Sequence, residues 1–175
     1  VLITVTLKGY IKRGSLSSVK QQKRGGKGKS GIKTREEDSV IQTLSVDTHT
    51  ALLFFSNEGL AYKIKAWKIP EGSSSSKGKS LFNILPLKNH QNISSIMPFP
   101  GENADTKGMH IIFATKKGKI RKNSLDDFSS INASGKIAMK LDNDDELVSV
   151  LPCNATDNFF LATRLGKAIR CDIND

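Results

Sequence analysis

Four times along this chain a short apolar run ends in Thr or Ser, two variable residues follow, and then come a glycine and a mixed apolar and basic stretch. The copies are Leu2-Ile3-Thr4-Val5-Thr6-Leu7-Lys8-Gly9, Leu52-Leu53-Phe54-Phe55-Ser56-Asn57-Glu58-Gly59, Ile111-Ile112-Phe113-Ala114-Thr115-Lys116-Lys117-Gly118 and Phe159-Phe160-Leu161-Ala162-Thr163-Arg164-Leu165-Gly166. Their glycines fall 50, 59 and 48 residues apart. Each copy predicts a buried strand, a tight turn and a return strand. The glycine sits where the turn needs a positive φ, which only a residue without Cβ adopts freely.

Two further elements keep step with the hairpins. Gly28-Lys29-Ser30, Gly78-Lys79-Ser80 and Gly135-Lys136-Ile137 lie 19, 19 and 17 residues after their hairpin glycines. Val40-Ile41-Gln42-Thr43-Leu44 and Leu147-Val148-Ser149-Val150-Leu151 each begin 19 residues before the next hairpin glycine. The middle copy, around Ile93-Ser94-Ser95-Ile96-Met97, begins 25 before, so an insertion is expected over residues 98–108. The repeat is thus about four short strands in roughly 50 residues, the pattern of a propeller-type blade. The expected units are 1–49, 50–108, 109–156 and a partial 157–175, one all-β domain of about three and a half blades or a fragment of one. The final hairpin either closes against the N-terminal strands or leaves the ring open. A β-sandwich with chance similarity between hairpins fits less well, because three separate elements hold register. Residues 36–42 are too short and β-branched for a helix, and residues 73–76 read as a flexible serine loop.

Composition narrows the class. Every apolar run is far shorter than a membrane span. Lys8, Lys12 and Arg13 interrupt any signal-peptide core. Two cysteines, Cys153 and Cys171, do not form a disulfide framework, so a reducing cytoplasm is expected. The net charge of +10 is localised: residues 1–35 hold ten Lys and Arg and no acid, whereas residues 36–175 hold 17 basic residues and 17 acids. Within the basic stretch lies Gln22-Lys23-Arg24-Gly25-Gly26-Lys27-Gly28. Such concentrated charge, with glycines that let backbone N–H groups approach a ligand, points to a polyanion.

Catalytic and metal-binding alternatives fail at specific positions. Gly28-Lys29-Ser30 and Gly78-Lys79-Ser80 lack the earlier glycine of a P-loop, since Lys23 and Ser73 stand there. Residues 142–146 resemble a cation loop, but Leu147 occupies the position an EF-hand gives to glycine; a solvated acidic turn is expected. His49, His90 and His110 have no Cys/His pairing at metal spacing, and no nucleophile–base set emerges. Trp67 and Tyr62, beside Lys63, Lys65 and Lys68, have the chemistry to stack on bases, though packing on an outer strand is the favoured expectation.

Residues 22–28 resemble the signature heptad of the family formed by the C-terminal domain of DNA gyrase A, with Lys23 in place of the commoner arginine. Trp67-Lys68-Ile69-Pro70-Glu71-Gly72, the stretch from Gly78 to Leu87, the stretch from Phe113 to Arg121 and Gly135-Lys136-Ile137-Ala138-Met139-Lys140-Leu141 resemble the same family. The resemblance implies a β-pinwheel, a propeller-like ring whose blades exchange a strand with a neighbour. It implies a non-catalytic, chromosome-associated domain that wraps double-stranded DNA around a basic rim in support of negative supercoiling. The nucleophile and the ATPase, with ATP and Mg²⁺, would belong to other parts of the enzyme, and the partners would be the rest of gyrase A and gyrase B. Gln22, Lys23, Arg24, Gly25, Gly26, Lys27 and Gly28 would fasten the wrap. Lys12, Arg13, Lys29, Lys33, Lys63, Lys65, Lys116, Lys117, Lys119, Arg121, Arg164 and Lys167 would supply secondary rim contacts. No membrane contact and no cofactor are expected, and the isolated domain is expected to be monomeric. The alternatives are the related topoisomerase IV protein, whose heptad is degenerate or absent, and a propeller used as a protein scaffold.

Overall fold

The structure, a computed structural model, describes residues 1–16, 38–73, 75–101 and 104–174. Among them are the strands β1 (Leu2–Thr6), β2 (Tyr10–Gly14), β3 (Val40–Ser45), β4 (Ala51–Ser56), β5 (Leu60–Lys65), β6 (Lys79–Ser80), β7 (Ile93–Phe99), β8 (Met109–Thr115), β9 (Ile120–Ser124), β10 (Lys136–Ile137), β11 (Leu147–Asn154), β12 (Asn158–Ala162) and β13 (Ala168–Asp172). Short 3₁₀ turns follow β5, β6 and β9. The fold is all-β and propeller-like.

The recurrent Thr/Ser-x-x-Gly motif has one geometry in all four hairpins. The glycine N–H donates to the carbonyl of the Thr or Ser three residues earlier, at 2.9–3.0 Å. The hydroxyl of that Thr or Ser accepts the N–H of the residue after the glycine, at 3.1–3.2 Å. Gly9, Gly59, Gly118 and Gly166 have φ of +76°, +78°, +88° and +78°. The hydroxyl and the glycine are two halves of one turn: the first satisfies an N–H that the second's conformation turns inward.

The sheets run β3-β1-β2-β6, β7-β4-β5-β10, β11-β8-β9 and β12-β13. Within each of the first two, the outermost strand comes from beyond the next hairpin. Lys79 of β6 pairs with Ile11 of β2, and Lys136 of β10 pairs with Ala61 of β5. The Leu81 N–H then donates to the Gly9 carbonyl at 2.9 Å, and the Ala138 N–H to the Gly59 carbonyl at 2.8 Å. This is the strand exchange of a pinwheel. Among the described residues β12 and β13 pair only with each other, and β1 only with β2 and β3.

Blades stack face to face, which explains why β4 lacks the alternation of a half-buried strand. Every residue of β4 is buried. Leu52 and Phe54 face the first blade and pack with Ile3, Val5 and Ile11. Leu53 and Phe55 face the third and pack with Ile111, Phe113 and Phe128. The Phe55 ring meets Phe113 and Phe128 edge-on, at centroid distances of 5.6 and 5.7 Å. Each such buried side chain contributes about 1.5–3 kcal/mol, so the blade-to-blade faces hold most of the apolar stabilisation. On the opposite edge, polar bonds join β3, β7 and β11. Gln42 Nε2 donates to the Ile96 carbonyl (2.8 Å), Ser94 Oγ to the Leu147 carbonyl (2.7 Å), and the Val150 N–H to Ser95 Oγ (3.0 Å).

Candidate nucleic-acid interface

The exchanged strands enter through glycines. Gly78 and Gly135 have φ of +92° and +91°. A Cβ at Gly78 would lie 2.5 Å from the Ile11 carbonyl oxygen, and one at Gly135 would lie 2.8 Å from the Tyr62 ring. In the first two blades the residue three after the hairpin glycine is therefore covered. In the second blade that residue is Tyr62, buried, with its hydroxyl 3.3 Å from Gln91 Oε1, so it packs and does not stack on bases. In the first blade it is Lys12, only 4% exposed. Its ammonium donates to the carbonyls of Ser73 (2.9 Å) and Ser76 (3.0 Å), and burial lowers its pKa. Lys12 is thus removed from the rim set: it is an internal clamp. The serine segment expected to be a flexible loop supplies its acceptors. In the third blade the same position is Arg121, which is exposed, with Nε donating to Asn123 Oδ1 at 2.8 Å.

The next position along each return strand is also basic, and in the first three it ties one unit to the next. Arg13 Nε donates to the Ile69 carbonyl (3.2 Å), and its guanidinium lies 3.8 Å from Glu71. Lys63 Nζ donates to the carbonyls of Phe128 (3.2 Å) and Ser129 (2.8 Å) and sits 3.6 Å from the Phe99 ring centroid. Lys122 Nζ donates to the Ile173 carbonyl at 2.8 Å. Arg13 and Lys63, expected as secondary rim contacts, have donors turned onto backbone carbonyls of the neighbouring blade and act as struts.

The third hairpin folds its cations onto the acidic turn. Lys116 pairs with Glu146 at 3.3 Å, Lys119 pairs with Asp142, and Lys117 Nζ donates to the Asn143 carbonyl at 2.8 Å. The turn expected to be merely solvated therefore offsets part of the charge of Lys116 and Lys119 and orients Lys117. Beneath it, Asp145 Oδ1 accepts the N–H groups of Lys117 (3.0 Å) and Glu146 (2.9 Å). Asp38 accepts the Lys8 N–H in the same way, at 3.0 Å. Burial alone would raise both carboxyls. Hydrogen bonds, with Lys77 near Asp38 and Lys117 near Asp145, outweigh it and hold both below the ordinary value of 3.8. A carboxyl depressed in the folded state contributes stability above its unfolded pKa and loses it as pH falls through the folded one. The urea midpoint should therefore be flat between about pH 5 and 7 and fall as the pH drops below about 4, near the unfolded Asp value. Asp145→Asn should flatten that fall; an unchanged profile would assign the acid sensitivity elsewhere.

Arg164 and Lys167 are exposed on the fourth hairpin. Lys65 is half-buried and lines an open cleft of about 860 Å³ with Asp47 and His49. Trp67 is half-exposed, with the Lys68 ammonium 5.6 Å from its ring centroid. Gln22, Lys23, Arg24, Gly25, Gly26, Lys27, Gly28, Lys29 and Lys33 lie outside the described residues. Sequence reasoning passed over Lys136 and Lys140, which line one groove of about 350 Å³ with Arg121. The signal was present in the repeated Gly-Lys pair.

Comparison with known proteins places this geometry in a family. The DNA gyrase C-terminal domain, beta-propeller, model matches residues 1–47, 50–100, 110–154 and 157–175. DNA gyrase A of Rickettsia bellii (strain RML369-C) is 48% identical over 170 residues, 97% of this chain and 19% of that protein. The chain thus spans about a fifth of the length of such curated relatives. A crystal structure of the C-terminal domain of DNA topoisomerase IV superposes with a TM-score of 0.80 at 25% identity, covering 98% of this chain and 51% of that one. The structure of a DNA gyrase A C-terminal domain gives 0.68 at 27% identity, over 97% of this chain and 53% of that one. Exchanged strands, repeated Thr/Ser-x-x-Gly turns and a family match across all four hairpins lead to one assignment: the chain belongs to the DNA gyrase C-terminal domain family.

Proposed function

We propose that this chain binds double-stranded DNA along the outer edges of its blades and wraps it, with residues 22–28 fastening the wrap. The observation that carries this reading is the charge distribution: ten basic residues and no acid in residues 1–35, against balance in the rest. Phosphate contacts dominate such binding, and bases are hardly read. Bending a site of 20–30 base pairs costs about 1–6 kcal/mol, so many distributed cations are needed to offset it. In the complete enzyme, with the rest of gyrase A and with gyrase B, the wrap supports ATP-dependent negative supercoiling, while this chain supplies no chemistry. The intact heptad favours gyrase over topoisomerase IV, and a protein scaffold has no use for so much uncompensated charge.

The test is duplex binding as salt is raised. The logarithm of the binding constant should fall linearly with the logarithm of salt concentration, with a slope of about −0.9 per phosphate contacted. A flat dependence would count decisively against phosphate-led wrapping. Introduction of negative supercoils into relaxed plasmid by the complete enzyme separates gyrase from topoisomerase IV.

A further inference from the structure

We infer that Lys79 and Lys136 are the repeating phosphate contacts of the rim, one on the outermost strand of each four-stranded blade. This inference rests on the DNA-wrapping reading and specifies which residues carry it. Both lysines follow the glycine that admits an exchanged strand, Gly78 and Gly135. Both lie on the last strand of their sheet, β6 or β10, and both are exposed. Of the other cations at matched positions, Arg121 is exposed and borders the Lys136 groove, and four are held by backbone carbonyls. Lys12 is clamped inside the first blade. Arg13, Lys63 and Lys122 bridge to the next blade.

The surroundings of Lys136 are cationic. Lys136 shares its groove with Arg121 and Lys140 against a single carboxylate, Asp127. Its ammonium donates to the Asp127 backbone carbonyl and lies 5.8 Å from the Phe128 ring centroid. That carbonyl orients the ammonium without cancelling its charge, and Lys136 stays exposed where Arg13 and Lys63 are half-buried. Two residues before Lys79, the Lys77 ammonium rests 3.6 Å from the Tyr10 ring centroid and near the Asp38 carboxylate. Cations placed once per blade at equivalent positions suit a polyanion of regular charge spacing, which is the backbone of duplex DNA and not a compact anion. Lysines on an edge strand also discourage edge-to-edge pairing, and the experiment separates the two roles.

Lys79→Gln, Lys136→Gln and the double variant keep most of the side-chain length while removing charge. Binding of this chain to a long mixed-sequence duplex is measured across a salt series, with sedimentation and thermal melting of each variant alongside. The salt slope should shrink by about 0.9 for each lysine and about 1.8 for the double, with unchanged melting and a monomeric species. Lys88→Gln with Lys107→Gln, two lysines off the edge strands, should keep the full slope. A salt-sensitive parent whose double variant keeps its slope overturns the inference and leaves the wrapping reading standing. So does an equal loss in the Lys88 and Lys107 pair, or self-association of the double variant with its slope retained, which would make the lysines guards of an open edge. A parent chain that binds duplex without salt dependence overturns the wrapping reading itself, and this inference with it.

Discussion

Replacement of Gln22, Lys23, Arg24 and Lys27 by alanine should abolish supercoiling by the complete enzyme while leaving DNA cleavage and ATP-independent relaxation intact. The reason is a balance of bending against attraction. Wrapping requires elastic work of several kcal/mol per turn segment, and the remaining cations are thinly spread and partly engaged. Lys12 is internal, Arg13 and Lys63 are struts, and Lys116 and Lys119 already face Glu146 and Asp142. Under the proposed wrap, removing three charges from the most basic fifth of the chain takes away attraction that would hold the bend closed. The measurement is a plasmid assay run with ATP for supercoiling and without it for relaxation. Undiminished supercoiling would show that residues 22–28 do not fasten the wrap, and lost cleavage would show that they act on the chemistry.

Gly59→Ala should be the most damaging small substitution in the second blade. The new Cβ would lie 2.2 Å from the carbonyl oxygen of Met139, which is backbone and cannot swing aside. Gly59 also has φ of +78°, which costs a residue with Cβ about 1–2 kcal/mol. Overpacking adds about 1–3 kcal/mol, so a loss of roughly 2–5 kcal/mol is expected. Gly118 provides the comparison: the same turn, φ of +88°, and nothing within 4 Å of a built Cβ. Gly118→Ala should therefore cost only the conformational part. Urea midpoints of the two variants measure the difference, and equal losses would mean that the segment through Met139 yields freely.

The hairpins were legible because each is written in four consecutive residues. Thr6 and Gly9, Ser56 and Gly59, Thr115 and Gly118, and Thr163 and Gly166 each specify a turn through hydrogen bonds made within the turn itself. The Gly-Lys element was visible as a repeat, but its destination was not. Pairing of Lys136 with Ala61 spans 75 residues, and nothing in a two-residue strand names the sheet it will join; the family resemblance supplied the exchange. The cations were read least well. A lysine's charge is plain in the sequence, but its long stem reaches several acceptors, and only the packed blades decide among them. Lys12 thereby became an internal clamp, and Lys63 found Phe128 and Ser129. Arg121, at the position matching Lys12, stays exposed because the described residues hold no strand over it.

Strand exchange also sets a clock on synthesis. The first blade has its hairpin when Gly14 is made, but its outermost strand is Lys79–Ser80. At about 5–20 residues per second, the 65 residues from 15 to 79 take roughly 3–13 seconds to polymerise. During that interval the open edge of β2 must wait, and the second hairpin has to emerge before the first blade can be finished. Blades of this kind therefore mature one step behind the ribosome, each completed only by the unit made after it.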